Sequence, residues 1–123
     1  MTYRLTAILV TVLCLTACGS SSTSPSVTPD PAPAGSTTVT IVTGASTLTN
    51  SAYSPNPLVV SVGTTVSWLN NDGTTHNSVA SNGLFSSPNL APGRRFNFTF
   101  TTAGSFPYIC TIHPNMVGTI TVQ

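Results

Sequence analysis

Cys110, His113 and Met116 follow one another at intervals of three in the run Cys110-Thr111-Ile112-His113-Pro114-Asn115-Met116, near the C-terminus of a 123-residue chain. A thiol, an imidazole and a thioether on one short loop are three soft or borderline metal donors. Beyond Cys18 this loop holds the only Cys and the only Met, and the one other histidine, His76, is the natural fourth donor. Cys-x-x-His alone is a weak signal, which zinc sites and chance both produce, and an isolated His76 would more often be a surface or satisfied loop residue. Jointly the four are sharper, because two nitrogens, a thiolate and a weakly bound thioether suit a copper ion alternating between Cu(I) and Cu(II). Zinc takes four stronger donors and gains little from Met. The nearby carboxylate, Asp72, lies in the turn signal Asn71-Asp72-Gly73 and is assigned to that turn. Nothing supplies a nucleophile, base and orienting group of the hydrolytic kind. A copper whose positions are all filled by protein favours outer-sphere electron transfer over substrate chemistry, so the chain is not read as an enzyme.

Strands and turns must bring these donors together. Val39 and Ile41 alternate with Thr38 and Thr40 in a first strand, and Ala45 to Pro57 reads as a connection. Leu58–Val62 and Thr65–Asn70 are two strands about a Gly63-Thr64 turn, with Val66 and Trp68 on one face, so Trp68 is core. His76 follows on the next loop, and Val79-Ala80 is a brief strand. Phe96, Phe98 and Phe100 alternate with Asn97 and Thr99 and give a strand an aromatic inner face. Phe106, Tyr108 and Cys110 share a face of the strand that ends at the thiol, and Val117–Val122 closes the sheet. Pro107 interrupts that strand and should face an unpaired edge or a bulge. About seven to eight short strands separated by turns make an all-β fold, a small β-sandwich.

The N-terminus reads as an export signal. Met1-Thr2-Tyr3-Arg4 is a short positive region, and Leu5–Leu15 is apolar but short for a permanent membrane span. Leu15-Thr16-Ala17-Cys18 resembles a bacterial lipobox, which implies a signal peptide over 1–17 and acylation of Cys18; the other reading is ordinary cleavage that leaves Cys18 a spare thiol. Gly19 after the Cys gives no inner-membrane retention signal. Residues 18–36, rich in Ser, Thr and Pro, are expected to be a tether, and 37–123 the folded head. With Cys14 removed and Cys18 lipidated, Cys110 is the single thiol left in a compartment that favours disulfides, so burial or a metal must protect it. Charge is sparse: Arg4, Arg94 and Arg95 stand against Asp30 and Asp72, with no Lys or Glu. Such a chain lacks the clustered cations of a nucleic-acid binder, and Arg94-Arg95 reads as a solvated strand end.

Several motifs together resemble the cupredoxins, the plastocyanin and amicyanin group of type 1 blue copper proteins. They are Asn56-Pro57, Val66-x-Trp68-x-Asn70, His76-Asn77, Leu90-Ala91-Pro92-Gly93, and Gly104-Ser105-Phe106-Pro107-Tyr108-Ile109-Cys110 running into the donor loop. The resemblance covers residues 37–123 and implies a Greek-key β-sandwich with one type 1 copper. It implies His76, Cys110 and His113 as trigonal ligands and Met116 as axial ligand, on a short amicyanin-like loop. Asn77 resembles the residue that ties the two ligand loops together near Thr111, its alternative being a plain turn Asn. His113, Pro114 and Asn115 would form the uncharged surface where redox partners dock. Ile112 and Asn115 stand where amicyanins carry Pro and Phe, and the acidic docking patch of plant plastocyanins is absent.

The expectation is a monomeric electron carrier, exported and lipid-anchored, serving redox proteins of the cell envelope. It would lie on the periplasmic side of the outer membrane in a Gram-negative cell, otherwise on the outer face of the cytoplasmic membrane. Two rival readings are a copper trafficking or storage protein and a surface-interaction domain that does not rely on metal.

Overall fold

Alternating apolar residues bounded by Gly, Pro and Asn form the strands of a computed structural model that describes residues 28–123. The expected signal peptide, Cys18 and residues 19–27 of the expected tether lie outside the described residues. The strands are β1 Thr37–Ile41, β2 Tyr53–Ser54, β3 Leu58–Val60, β4 Thr65–Asn70, β5 Val79–Ala80, β6 Arg95–Thr99, β7 Gly104–Ile109 and β8 Val117–Val122. The connection after β1 holds a single 3-10 turn, Ala45–Thr47. One sheet has the order β2-β1-β4-β6 and the other β3-β8-β7-β5. Each contains one parallel pair, β1 with β4 and β3 with β8, among antiparallel ones. The all-β sandwich read from the sequence is therefore a pair of mixed four-stranded sheets.

The arms of the Gly63-Thr64 turn enter different sheets, β3 beside β8 and β4 between β1 and β6. The inner faces meet on Trp68, fully buried, whose indole lies 5.0 Å from the Phe85 ring, 5.7 Å from Phe96 and 5.6 Å edge-on from Tyr108, centroid to centroid. Rings offset or crossed at such separations bury large apolar area while avoiding face-to-face repulsion. Pro107 lies in an interior strand, yet its carbonyl accepts from Ser81 N (2.9 Å), just past the end of β5. Its missing N–H thus faces the side where the short β5 has run out, so no ladder bond is lost.

β4 ends at Asn70, β7 ends at Ile109 and β8 begins at Val117, all at one end of the sandwich. The loops that leave those three ends carry every candidate donor. Asn56 braces this end from outside: its amide donates to the carbonyls of Asn50 (2.8 Å) and Val117 (3.0 Å), and its oxygen accepts from Thr119 N (2.9 Å).

Candidate metal centre

The loop from Cys110 to Met116 closes on itself. Cys110 N donates to Met116 O (3.1 Å) and Met116 N to His113 O (2.9 Å), so the thiol and thioether start from paired backbone. His76 is held in the same way by the next layer, since its N–H and C=O exchange bonds with Leu90 (3.1 and 2.7 Å). Cys110, His76 and Met116 are fully buried, and His113 is half-buried.

These supports bring three donor atoms together. Cys110 Sγ lies 3.9 Å from Nδ1 of His76 and 3.9 Å from Nδ1 of His113, and the two nitrogens are 3.1 Å apart. The point equidistant from all three is about 2.1 Å from each, close to metal–imidazole and metal–thiolate bond lengths. Two imidazole nitrogens and a cysteine sulfur converging on one point at that distance fit a metal ion. With two nitrogens and one sulfur in the triangle and a buried methionine on the same loop, the chemistry of the set fits copper.

Asn77 joins the two loops. Its Nδ2 donates to Thr111 Oγ1 (2.7 Å), and its Oδ1 accepts from Thr111 N (2.7 Å). Its backbone N–H donates to Cys110 Sγ (3.4 Å). Tyr53 secures the same residue from below by donating its hydroxyl to Asn77 O (2.8 Å). Burial pushes that phenol well above its ordinary range, so it remains a neutral donor.

Two residues with larger roles than the sequence suggested are Asp72 and Asn70. Asp72 does serve its turn, accepting from Gly73 N (2.8 Å) and Thr74 Oγ1 (2.9 Å), but its Oδ2 also lies 2.7 Å from His76 Nε2. An ionised carboxylate can only accept, so Nε2 carries the proton and Nδ1 presents its lone pair toward Cys110 and His113. Gly44, at φ 76°, turns its N–H onto Asp72 Oδ1 (2.9 Å), a backbone conformation that glycine adopts readily. The His76 ring N–H, with the Gly44 and Gly73 amides and the Thr74 hydroxyl, holds the Asp72 carboxyl well below the usual carboxylate range. Asn70, fully buried, wraps the same loop: it donates to Thr74 O (2.7 Å) and Leu90 O (2.8 Å) and accepts from Asp72 N (2.9 Å). The spacing of four between Asp72 and His76 around a Gly-containing turn was the available signal for the carboxylate. Asn70 carried none beyond its place in the resemblance.

Because the Asp72 carboxyl titrates lower in the folded chain than in the unfolded one, its stabilisation is complete above the unfolded value of about 4 and is lost as pH falls below it. Asp72→Asn should therefore destabilise the copper-free protein by about 2 kcal/mol at pH 7, the scale of lost bonds to a charged group. Between about pH 5 and pH 2 its stability should fall less steeply than the unsubstituted protein's. Denaturant unfolding at pH 7 and pH 3 measures both; equal slopes would remove Asp72 from this role.

A sequence profile of copper binding proteins, plastocyanin/azurin family, matches residues 39–123. Amicyanin of Paracoccus denitrificans is 34% identical over 76 residues, a match covering 58% of this chain and 58% of amicyanin. This chain thus spans less than two thirds of that relative's length. A purple cupredoxin from Nitrosopumilus maritimus superposes with a TM-score of 0.65 at 40% identity, over 70% of this chain and 98% of that one. A Cu-containing nitrite reductase from Thermus scotoductus superposes with a TM-score of 0.61 at 32% identity, over 72% of this chain but 22% of its own.

Proposed function

The chain belongs to the plastocyanin/azurin family of copper binding proteins, and from that premise we propose that it is a membrane-tethered carrier of single electrons between redox proteins of the cell envelope. Its cofactor is one copper ion of the type 1 kind. The observation that carries the proposal is the burial pattern: His76, Cys110 and Met116 are closed to solvent, and His113 alone of the four reaches it. A substrate has no approach to such a centre, whereas an electron needs only the edge of one imidazole. Bound copper would supply a centre that holds or releases one electron.

The protein's part is to keep its donors still. His76, Cys110 and His113 are the trigonal ligands of this reading and Met116 the axial one. The Asn77–Thr111 pair, the Asp72–His76 bond and the closed Cys110–Met116 loop all resist rearrangement, so little reorganisation opposes transfer. Around His113, the exposed Pro114 and Asn115 and Ile112 at 42% exposure make a contact surface without charge. A partner would then be met by brief apolar contact instead of long-range steering. Export and acylation of Cys18, supported by the lipobox-like Leu15–Cys18, and a monomeric head complete the reading.

Two measurements on the copper-loaded protein test this. Electron self-exchange should be fast while a strong Cu(I) chelator removes metal slowly; ready loss of copper with slow exchange would favour trafficking instead. Met116→Leu should keep the colour and raise the reduction potential, because the axial donor tunes it. An unchanged potential would take Met116 out of the ligand set.

A further inference from the structure

The N-terminal end of the described chain is fastened to the head. Asp30 N donates to Gly93 O (2.8 Å), its carboxylate accepts from Arg95 N (3.2 Å) and Arg94 Nη1 (3.1 Å), and its carbonyl accepts from Arg95 Nε (2.5 Å). Arg95 then lies over the outer face of the β1–β4 sheet, its Nη1 reaching Ser67 Oγ (3.1 Å) and Thr38 Oγ1 (3.4 Å). Three of the four Asp and Arg side chains beyond residue 18 are spent on this clamp. An exposed ion pair alone would hold little, but here the backbone of both partners takes part.

The place of the clamp matters. Gly93 N donates to Asn70 O (2.8 Å) and Asn70 N to Arg94 O (3.0 Å), so Asp30 is fastened to the residues that pair with the last residue of β4. From there Asn70 Nδ2 reaches Leu90 O (2.8 Å), and Leu90 pairs with His76. Thr37, where the expected head began, pairs instead with Val66, near the far end marked by the Gly63–Phe100 contact. The chain enters the fold at the metal end, crosses the sheet, and only then starts β1.

We propose that the clamp holds the metal end toward the membrane, so that the partner at the His113 edge is a redox protein whose own redox group lies at the bilayer surface. This rests on acylation of Cys18. From Cys18 to Asp30 the chain spans at most about 43 Å in any conformation, so the metal end stays within that distance of the bilayer, whereas the far end can lie a further head width of roughly 30 Å away. A leash fastened at Thr37 would be seven residues longer and would pull on the opposite end, turning His113 away from the bilayer.

The full-length chain purified from membranes, its acyl mass confirmed, is placed metal-free in nanodiscs whose lipid headgroups carry nitroxides, and paramagnetic broadening of its amides is read by NMR. Amides of residues 71–77 and 111–116 should broaden several-fold more than those of 62–64 and 100–104. In Asp30→Pro/Arg95→Ala, which removes the Asp30 amide, its carboxylate and the Arg95 guanidinium together, the gradient should flatten while the spectrum stays dispersed. Uniform broadening of the unsubstituted acylated chain, or stronger broadening at the far end, overturns the orientation and leaves the anchor standing. A chain without acyl mass overturns the anchor, and the orientation with it.

Discussion

Cys110→Ser is expected to abolish the intense visible absorption of the copper-loaded protein and to weaken copper binding by at least tenfold. The intensity of such a band comes from charge transfer between thiolate sulfur and copper, and Cys110 Sγ lies 3.9 Å from each imidazole Nδ1. A serine hydroxyl is a harder donor on a shorter bond and stays protonated at neutral pH, so it replaces neither the charge nor the softness of the thiolate. It also loses the ion that makes Asn77 N–H a useful neighbour. The fold should survive, since Val39, Trp68, Tyr108 and the rest of the core are untouched. Absorption and circular dichroism on the same sample separate the two effects. A spectrum unchanged in the visible would make the ligand assignment wrong.

The largest effect on stability is expected from Gly118→Ala. Gly118 faces Tyr108 across β7 and β8, and a Cβ added there would stand inside the van der Waals envelope of the Tyr108 ring and hydroxyl. The ring cannot swing aside, because it is 1% exposed, edge-on to Tyr53 at 4.8 Å and to Trp68 at 5.6 Å. The strand must give instead, and overpacking of this kind costs about 3 kcal/mol, or roughly 10–20 °C in Tm for a head of this size. Tyr108 lies two residues before Cys110 on β7, so the copper-loaded variant should also show a displaced visible band. Gly73→Ala is the control: a Cβ there meets nothing within 4 Å, so its effect should stay within about 0.5 kcal/mol. Thermal unfolding of both, copper-free, decides; equal midpoints would mean that Tyr108 has somewhere to go.

Gly118 also shows where sequence reading stops. That Tyr108 and Trp68 are core follows from alternation along one strand, a local pattern. That a glycine ten residues on must be small because Tyr108 covers it depends on the register of β7 against β8, which no local pattern specifies. The Gly63-Thr64 turn was legible for the same local reason, whereas the entry of its two arms into different sheets was not. β3 finds β8 some sixty residues away, and β4 finds β1. Turn chemistry says where a chain reverses; burial of both sheet faces decides with whom each arm pairs.

At the site the donors themselves stood out because Cys, His and Met are rare in this chain and their chemistry is distinctive. Their supports are ordinary residues. Asp72 reads as a turn former and is one, yet its second oxygen orients His76. Asn70 looks like a strand residue, and its side chain binds Asp72 and Thr74 of the His76 loop and Leu90 beside it. Arg94 and Arg95 read as a solvated strand end; Arg94 is 64% exposed, but both grip Asp30, sixty-four and sixty-five residues earlier. Pro and Ser around residue 30 read as a tether, and composition cannot see its carboxylate meet the Arg94 guanidinium while its carbonyl meets that of Arg95 across the fold.

The decisive experiment is titration of the metal-free full-length chain with Cu(II), followed by visible absorption and then voltammetry. Binding should saturate at about one copper per chain, with an intense thiolate-to-copper band that grows in step with binding and a reversible one-electron wave. Saturation without that band, or a coloured complex whose wave is irreversible, would contradict the electron-carrier reading.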